Sequence, residues 1–131
     1  MSLKKIKIIP LKIVKNIKGD ILKYINKKDK HLNKFGEIYF TEIKKNKVKG
    51  WNYHKKNQCL LAVPFGKVKF TFIKKNNSKK KIITIGKKNH SIIIVPPGNW
   101  FKFESLEKVS LVVNTLNDIH SDQETLKLPI K

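Results

Sequence analysis

One histidine and two amide side chains lie close together near the middle of the chain. Asn52 precedes His54 by two positions, and Gln58 follows it by four. Side chains at even spacing share one face of a β-strand, so an unbroken strand would place all three together, although turn-like residues 55–57 separate Gln58 from the others. An imidazole can remove a proton beside a carbonyl group. We therefore take His54 as the candidate general base; the alternative is a hydrogen-bonded histidine that lines a pocket without catalysing a reaction.

The other histidines offer no comparable grouping. His31, His90 and His120 lie in polar, loop-like stretches of the sequence. We expect their side chains to face solvent, which leaves His54 as the candidate base.

The spacing around His54 resembles the ligand pattern of the metal-binding cupins, a family of antiparallel β-barrels. Those proteins place His-x-His, followed after three or four residues by Glu, on one hairpin, and a last His in Pro-x-Gly-x-x-His on a second. Here Asn52 and His54 stand for the first pair, Gln58 for the Glu and Phe101 for the last His. Amides are weak ligands for transition metals and a phenyl ring cannot bind one, so we expect no metal and no cofactor.

Short, regularly spaced strands must position these residues. The apolar residues Val68, Phe70 and Phe72 alternate with polar residues, as in a strand with one buried face; the polar residues are Lys67, Lys69 and Thr71. Strands are predicted at residues 6–9, 11–17, 37–43, 48–53, 59–63, 67–74, 82–85, 91–95, 100–104 and 109–114, with a turn at 76–78. This pattern is typical of an all-β antiparallel sandwich or barrel.

One short helix is predicted among the strands. Asp20 is a suitable N-cap, and Ile21, Tyr24 and Ile25 would share one helical face, which favours a helix over residues 21–27. We expect at most one or two short helices in the chain.

The chain of 131 residues predicts a single domain, residues 1–131. Its one cysteine, Cys59, excludes an internal disulfide and suits a reducing compartment. No apolar run approaches the roughly 20 residues of a membrane helix, and lysines interrupt the N-terminal apolar residues where a signal peptide needs an unbroken stretch. We expect a cytoplasmic protein without a membrane partner.

The net charge of +21 has two interpretations. A basic domain can bind nucleic acid or another polyanion. However, all 30 basic residues are lysine, whereas nucleic-acid readers use the planar fork of arginine. Abundant Asn and Ile beside the lysines indicate compositional drift in an AT-rich genome. We therefore expect a solvated lysine-rich surface, no nucleic-acid partner, and some attraction for anionic ligands.

Several motifs in order resemble the dTDP-4-dehydrorhamnose 3,5-epimerases, metal-free cupins of surface-polysaccharide synthesis, and in particular a divergent epimerase-like branch. The similarity extends from Gly19-Asp20 to Leu128-Pro129. Its main pieces are Gly36-Glu37-Ile38-Tyr39-Phe40, Lys49-Gly50-Trp51, His54-Lys55-Lys56, Val63-Pro64-Phe65-Gly66 and Pro96-Pro97-Gly98-Asn99-Trp100. The resemblance implies a cupin-type jelly roll and a nucleotide-sugar ligand.

The resemblance also implies roles at individual positions. The family's catalytic His falls at Asn52, its Lys near Cys59 and its late-strand Tyr near Val113, so none of these groups is retained. Lys49 matches an Arg that lies near the nucleotide phosphates. His54 matches the second His of the cupin 3,4-ketoisomerases, which act on the same class of sugars.

Three aromatic residues are added to the candidate substrate-binding set. Tyr39 matches a polar, substrate-contacting position of the family, where its phenol could be an acid or only a hydrogen-bond partner. Trp51 and Trp100 flank the two hairpins and could stack on a sugar or base, or be plain core. Family members pair through N-terminal strands, and the alternating Ile/Lys segments before Gly19 predict a homodimer.

Three functions follow as hypotheses. The first is an epimerase or isomerase that removes a proton α to the carbonyl of a nucleotide-linked (dTDP) keto-sugar, with His54 as base and Lys49 beside the phosphates. The second is a non-catalytic cupin that binds a sugar or nucleotide sugar. The third is a nucleic-acid or anionic-surface binder driven by lysine charge. Solvent deuterium entering the sugar separates the first from the second, and a steep salt dependence marks the third.

Overall fold

Strands with one apolar face dominate the chain and build two antiparallel sheets. The computed structural model describes residues 5–32, 34–74, 79–121 and 123–128. Sheet 1 has the order β1-β9-β6-β11-β4 and sheet 2 the order β12-β5-β10-β7-β8. Sheet 1 contains β1 (Lys7–Pro10), β4 (Glu37–Lys44), β6 (Cys59–Phe65), β9 (Ser91–Val95) and β11 (Val109–Leu116). Sheet 2 contains β5 (Val48–His54), β7 (Lys67–Lys74), β8 (Lys80–Gly86), β10 (Asn99–Ser105) and β12 (Thr125–Lys127).

The predicted all-β antiparallel architecture is confirmed. A small hairpin pairs β2 (Ile13–Val14) with β3 (Ile21–Leu22), and the one helix in the described ranges is a 3₁₀ turn, Lys87–Asn89. No helix in this part of the chain is long and apolar enough to cross a membrane. The predicted turn at 76–78 lies outside the described residues.

The predicted helix over residues 21–27 is wrong. Ile21 and Leu22 pair with β2, and the Asp20 carboxylate accepts a hydrogen bond from Asn16 N (3.0 Å) instead of capping a helix. Tyr24 and Ile25 still lie against the same surface, because both side chains pack on the outer face of sheet 1. The backbone conformation of this segment is therefore determined by its pairing with β2 and its packing on sheet 1, and not by the helical spacing of its apolar residues.

The core lies between the two sheets. On β7, Val68, Phe70 and Phe72 are at most 1% exposed, whereas the alternating Lys67 and Lys69 are exposed or half-buried. Phe70 contacts the rings of Phe72 and Phe103, at centroid distances of 6.1 and 5.7 Å. Period-two alternation therefore sorts these side chains into the core as the sequence predicts.

The N-terminal segment covers the outer face of sheet 1. Leu60, Ile92 and Ile94 form a second buried cluster there, against which the partly buried apolar residues of the segment pack, namely Ile9, Leu11, Tyr24, Ile25 and Leu32. The Tyr24 hydroxyl donates to the Leu60 carbonyl oxygen (2.9 Å), which fixes the segment on the sheet. The part of sheet 1 formed by β6 and β9 is thus buried on both faces, and these two strands are rich in apolar residues.

Replacing Phe70 with Ala should lower the free energy of unfolding by about 3–5 kcal/mol, because the ring is fully buried between the sheets. Phe40→Ala is the matched control, since that ring is 66% exposed and its loss should cost about 0.5 kcal/mol or less. Urea denaturation followed by tryptophan fluorescence measures both. Equal effects of the two substitutions would contradict the assignment of the core.

Candidate functional site

A cavity of about 610 Å³ lies between the two sheets, on the side where β4 and β11 face β5 and β10. Sheet 1 contributes Tyr39 and Asn114 to its wall, and sheet 2 contributes Asn52, His54 and Phe101. Each of these side chains sits at an inward position of its strand. The cavity therefore continues the core layer, but polar side chains share its walls with apolar ones.

Four predicted site residues line this cavity: Tyr39, Lys49, Asn52 and His54. Asn52 and His54 share a face by even spacing, as expected, whereas Lys49 is at an odd position. In the pairing with β10, Asn52 is opposite Phe101 and Lys49 is opposite Phe103, so β5 carries one extra residue between these two pairs. This bulge returns Lys49 to the inner face.

Gly50 makes the bulge possible. Its φ is +125°, and a Cβ there would lie only 2.7 Å from the Lys102 Cα and the Phe101 carbonyl oxygen. Only glycine allows β10 to pass so close to β5 in this conformation.

The other three predicted site residues do not line the cavity. Gln58 follows the end of β5 at His54, so its side chain leaves the inner face and donates to the His31 carbonyl oxygen (2.9 Å). Trp51 lies under the Lys102 ammonium group (4.9 Å), and Trp100 packs on Tyr53 at 5.0 Å. The parity argument for Gln58 was wrong because the strand ends before it, and strand alternation turns both tryptophan side chains away from the cavity.

His54 is paired with a carboxylate that the sequence analysis missed. Its Nδ1 lies 2.7 Å from Glu124 Oε1, and the two side chains are 6% and 9% exposed. Glu124 Oε2 also accepts hydrogen bonds from the backbone N–H of Lys56 (2.9 Å) and of Asn57 (3.1 Å). The carboxylate therefore holds the proton of a neutral imidazole on Nδ1 and leaves Nε2 with the lone pair that a general base needs.

The same contacts set the charge of Glu124. Burial by itself would raise the pKa of this carboxyl group, but the hydrogen bonds from Lys56 N, the His54 ring and Asn57 N outweigh burial and hold the pKa below its ordinary value of 4.5. Glu124 is thus ionised at neutral pH and can stabilise the imidazolium that forms when His54 accepts a proton.

Two further rings enclose the His54 side chain. Phe101 is nearly parallel to it, at a centroid distance of 6.2 Å, and His120 meets it edge-on at 6.2 Å. His120 also lines the cavity, and its backbone N–H donates to Glu37 Oε1 (2.9 Å). The expectation that His120 faces solvent is therefore wrong, since the C-terminal segment folds back over the cavity.

The predictions for the other histidines are also wrong. His90 is 5% exposed, and its Nε2 donates to the Lys23 carbonyl oxygen at 2.6 Å. His31 is half-buried, with Nε2 3.9 Å from the Asp29 carboxylate. Both lie where the N-terminal segment packs on the barrel, and neither lines the cavity.

The opposite wall of the cavity carries a phenol. Asn114 Nδ2 donates to the Tyr39 hydroxyl oxygen (3.1 Å) and also contacts Cys59 Sγ at 3.8 Å. Burial, and to a lesser degree the neighbouring Cys59, raises the pKa of Tyr39. Burial likewise raises the pKa of the Cys59 thiol to about 12, so neither group is ionised at neutral pH.

Two lysines line the cavity, Lys49 from β5 and Lys127 from β12. Lys127 is opposite Asn52 in the pairing of these strands, so both amines belong to the same region of sheet 2. This region can therefore attract an anionic group of a ligand.

The residues at the positions that match the metal ligands of the cupins do not fit a transition metal. Asn52 is a weak ligand, Phe101 is none, and the Nδ1 of His54 is engaged by Glu124. Within residues 5–32, 34–74, 79–121 and 123–128, no group of three or more His, Cys, Asp or Glu side chains could hold a metal ion. Metal-free chemistry remains a prediction from the residue types.

Glu124 and His120 are the functional candidates that sequence reasoning did not find. Only nine acidic residues are present in the whole chain, so each carboxylate is unusual against 30 lysines. However, Glu124 lies 70 positions from His54 in the chain, and no local spacing joins them. Only the pairing of β12 with β5 brings the two together.

Comparisons with known proteins support the fold. No protein-family model matches the sequence, and no curated protein matches it significantly. A crystal structure of a dTDP sugar isomerase from Desulfovibrio desulfuricans G20 superposes with a TM-score of 0.92 at 24% identity, covering 97% of this chain and 85% of that one. A dTDP-6-deoxy-D-glucose-3,5-epimerase from Legionella pneumophila, in complex with dTDP-4-keto-L-rhamnose, gives 0.82 at 16%, covering 94% and 72%.

A third solved structure extends this likeness. A sugar 3,4-ketoisomerase from Thermoanaerobacterium thermosaccharolyticum, in complex with TDP, gives a TM-score of 0.78 at 16% identity, with 95% of this chain and 89% of that one covered. The chain thus has the fold of the dTDP-sugar isomerases and epimerases, and the cupin-type jelly roll expected from the sequence is confirmed.

Glu124→Gln should lower the free energy of unfolding at neutral pH by about 1.5–3 kcal/mol, because three charge-assisted hydrogen bonds lose their ionised acceptor. The pKa of Glu124 is lower in the folded than in the unfolded chain, so its stabilisation is present above pH 4.5 and is lost as the pH falls through the folded pKa. The difference from the wild type should therefore shrink in acid, as measured by urea denaturation. Glu107→Gln, at an exposed position, is the control; a difference independent of pH would contradict the assignment.

Proposed function

We propose that this chain is an epimerase or isomerase that acts on a nucleotide-linked keto-sugar, with dTDP as the nucleotide, by removing a proton α to the carbonyl group. The observation that carries the proposal is the buried His54–Glu124 pair, whose His54 side chain lines the cavity between the sheets. The shared fold with dTDP-sugar isomerases and epimerases gives independent support.

His54 is the general base in this reaction. Its Nε2 accepts the α-proton, the sugar becomes an enolate, and Glu124 stabilises the imidazolium. Asn52 cannot act as a base, but its amide N–H can donate a hydrogen bond to the developing oxyanion from the same face of β5. Proton abstraction in this site thus requires no metal.

The nucleotide diphosphate is assigned to the lysine side of the cavity. Lys49 and Lys127 supply positive charge there, and no arginine exists in the chain to do so. The net charge of +21 also raises the encounter rate with a dianionic ligand at low salt. The solved 3,4-ketoisomerase was crystallised with TDP, which is consistent with a diphosphate ligand for this fold.

A non-catalytic nucleotide-sugar-binding cupin is the second candidate. The position matched to the family's base is Asn52, and the position matched to its acid is Val113, which is 6% exposed and does not line the cavity. These losses favour binding without turnover, whereas the oriented His54–Glu124 pair favours turnover. A proton-exchange experiment separates the two.

We further propose a role in surface-polysaccharide synthesis in the cytoplasm. Support comes from the class of sugar that the structural neighbours use and from the free, buried thiol of Cys59, which suits a reducing compartment.

Replacing His54 with Asn should abolish exchange of solvent deuterium into a dTDP-4-keto-sugar, a loss of about 10²–10⁴-fold in rate. Affinity for the nucleotide sugar should stay within about tenfold, roughly 1.4 kcal/mol, because the lysines remain. Proton NMR in deuterium oxide measures exchange, and calorimetry measures binding.

His31→Asn is the matched control, since that histidine lies outside the cavity. Binding by the wild type without any exchange would contradict the catalytic proposal and leave the binding module. A large loss of affinity in the His54 variant would make that residue a ligand contact instead of a base.

We also propose a homodimer. β1 is an edge strand of sheet 1, and its Ile8 is 44% exposed; Ile17 and Ile21 of the N-terminal segment are exposed as well. Unpaired strand edges of this kind pair readily with a second copy.

Light scattering at micromolar concentration should give twice the 15.3 kDa mass of one chain. Ile8→Lys should shift the protein to monomer because it places a charge in the interface, whereas Ile82→Lys, on the edge of sheet 2 and 57% exposed, should not. A wild-type monomer would rule out the proposed pairing.

A further inference from the structure

We propose that a cavity of about 230 Å³ beside β7 and β8, which we call the lysine cavity, is a second ligand site that binds a small phosphate ester carrying a free hydroxyl group. Residues of β7, β8 and the start of β10 line it from sheet 2, and the two residues before β1 line it from the other side. It shares no lining residue with the candidate active site in the described part of the chain, so this inference goes beyond the proposed function.

The first support is the charge of the lysine cavity. Five lysines line it, and among the described residues no acidic side chain does. The five are Lys5, Lys74, Lys79, Lys80 and Lys81. Elsewhere the fold supplies a carboxylate where lysines converge, since the amines of Lys15 and Lys87 lie 3.2 and 3.0 Å from Asp20 Oδ2. In the lysine cavity the ammonium groups repel one another, and a bound anion would offset that repulsion.

Strand alternation places part of this charge at the end of the core layer. The buried inward rows of three neighbouring strands continue with Lys74 on β7, Lys81 on β8 and Asn99 on β10, all of which line the lysine cavity. Each lies two positions from a buried core residue of its strand, namely Phe72, Ile83 and Phe101. Two ammonium groups and an amide thus stand where a longer core would place apolar side chains.

Asn99 supplies the second, independent support. Its Nδ2 donates to the Pro96 carbonyl oxygen (2.9 Å), which fixes the orientation of the amide. Its Oδ1 is buried and has no hydrogen-bond partner in the described part of the chain, although the residue is only 3% exposed. A buried acceptor without a partner costs free energy, and a hydroxyl group of a ligand would satisfy it. The ligand must therefore bring a hydrogen-bond donor as well as negative charge.

The size and the apolar wall of the lysine cavity restrict the ligand further. Its 230 Å³ lie below the roughly 300–1,000 Å³ of pockets for drug-sized ligands, so an ester of a few carbon atoms fits better than a nucleotide sugar. Ile6 and Phe72, which are 8% and 1% exposed, offer a surface on which a short carbon chain can pack. A phosphate group brings two negative charges and several acceptor oxygens for the lysines.

The two cavities are separated by a pair of aromatic rings. Phe72 lines the lysine cavity and Phe101 lines the candidate active site, and their ring centroids are 5.9 Å apart. A ligand in the lysine cavity therefore occupies its own place in the fold.

The test is a titration with glycerol 3-phosphate, followed by calorimetry and by NMR of the backbone amides. This ester should bind about 2–10-fold more tightly than propyl phosphate, because only glycerol 3-phosphate offers hydroxyl groups to Asn99 Oδ1. The amide signals of Lys81 and Asn99 should shift during the titration.

The double variant Lys74→Gln/Lys81→Gln should weaken binding of glycerol 3-phosphate by at least about tenfold, because two charge-assisted contacts are lost. Lys67→Gln/Lys69→Gln is the matched control, since it removes the same charge from β7 at positions that do not line the lysine cavity. It should change the affinity by less than about twofold. Thermal unfolding of both variants shows whether the fold is intact.

Equal losses of affinity in the two double variants would overturn the inference, because binding would then follow net charge alone. Equal affinity for the two esters would overturn the assigned ligand class. Amide shifts confined to Lys49 and Asn52 would also overturn the inference, because they would place the ester in the candidate active site. None of these results bears on the proposed function, which proton exchange tests separately.

Discussion

The carboxylate of Glu124 is the interaction on which the rest of the site depends. One oxygen pairs with His54 Nδ1, and the other accepts the backbone N–H groups of Lys56 and Asn57 where the chain leaves β5. Three separate elements are thereby joined: the end of β5, the turn after it and the C-terminal segment. Because a buried carboxylate is costly without such partners, the three contacts together offset the cost of burying Glu124.

This dependence explains the construction of the cavity. The C-terminal segment places β12 beside β5 and brings His120 and Lys127 to the cavity. At the other end of β5, the bulge at Gly50 returns the Lys49 side chain to the inner face and so to the cavity. A polar cavity can thus exist within an otherwise apolar layer because its walls are fixed at both ends.

The same geometry gives a physical basis for acid–base chemistry at neutral pH. The carboxylate keeps His54 in the tautomer of a base, while burial keeps the Tyr39 phenol protonated on the facing sheet. In the proposed reaction His54 is the base, since Asn52 stands at the position that the resemblance to the epimerases assigns to the family's catalytic histidine.

Local patterns of the sequence determined most of the strands, the antiparallel class and the shared face of Asn52 and His54, because alternation of apolar and polar residues is a property of neighbouring positions. The strand predicted over residues 11–17 is only Ile13–Val14, and β12 was not predicted. Tertiary structure decided the rest. The segment that carries Ile21, Tyr24 and Ile25 forms a hairpin strand and a packed stretch of chain instead of a helix, because it pairs with β2 and buries apolar side chains on the outer face of sheet 1. Lys49 and Gln58 changed faces at a bulge and at a strand end, which parity cannot foresee. The partner of His54 was beyond any local signal, since a contact across 70 positions exists only after β12 has paired with β5.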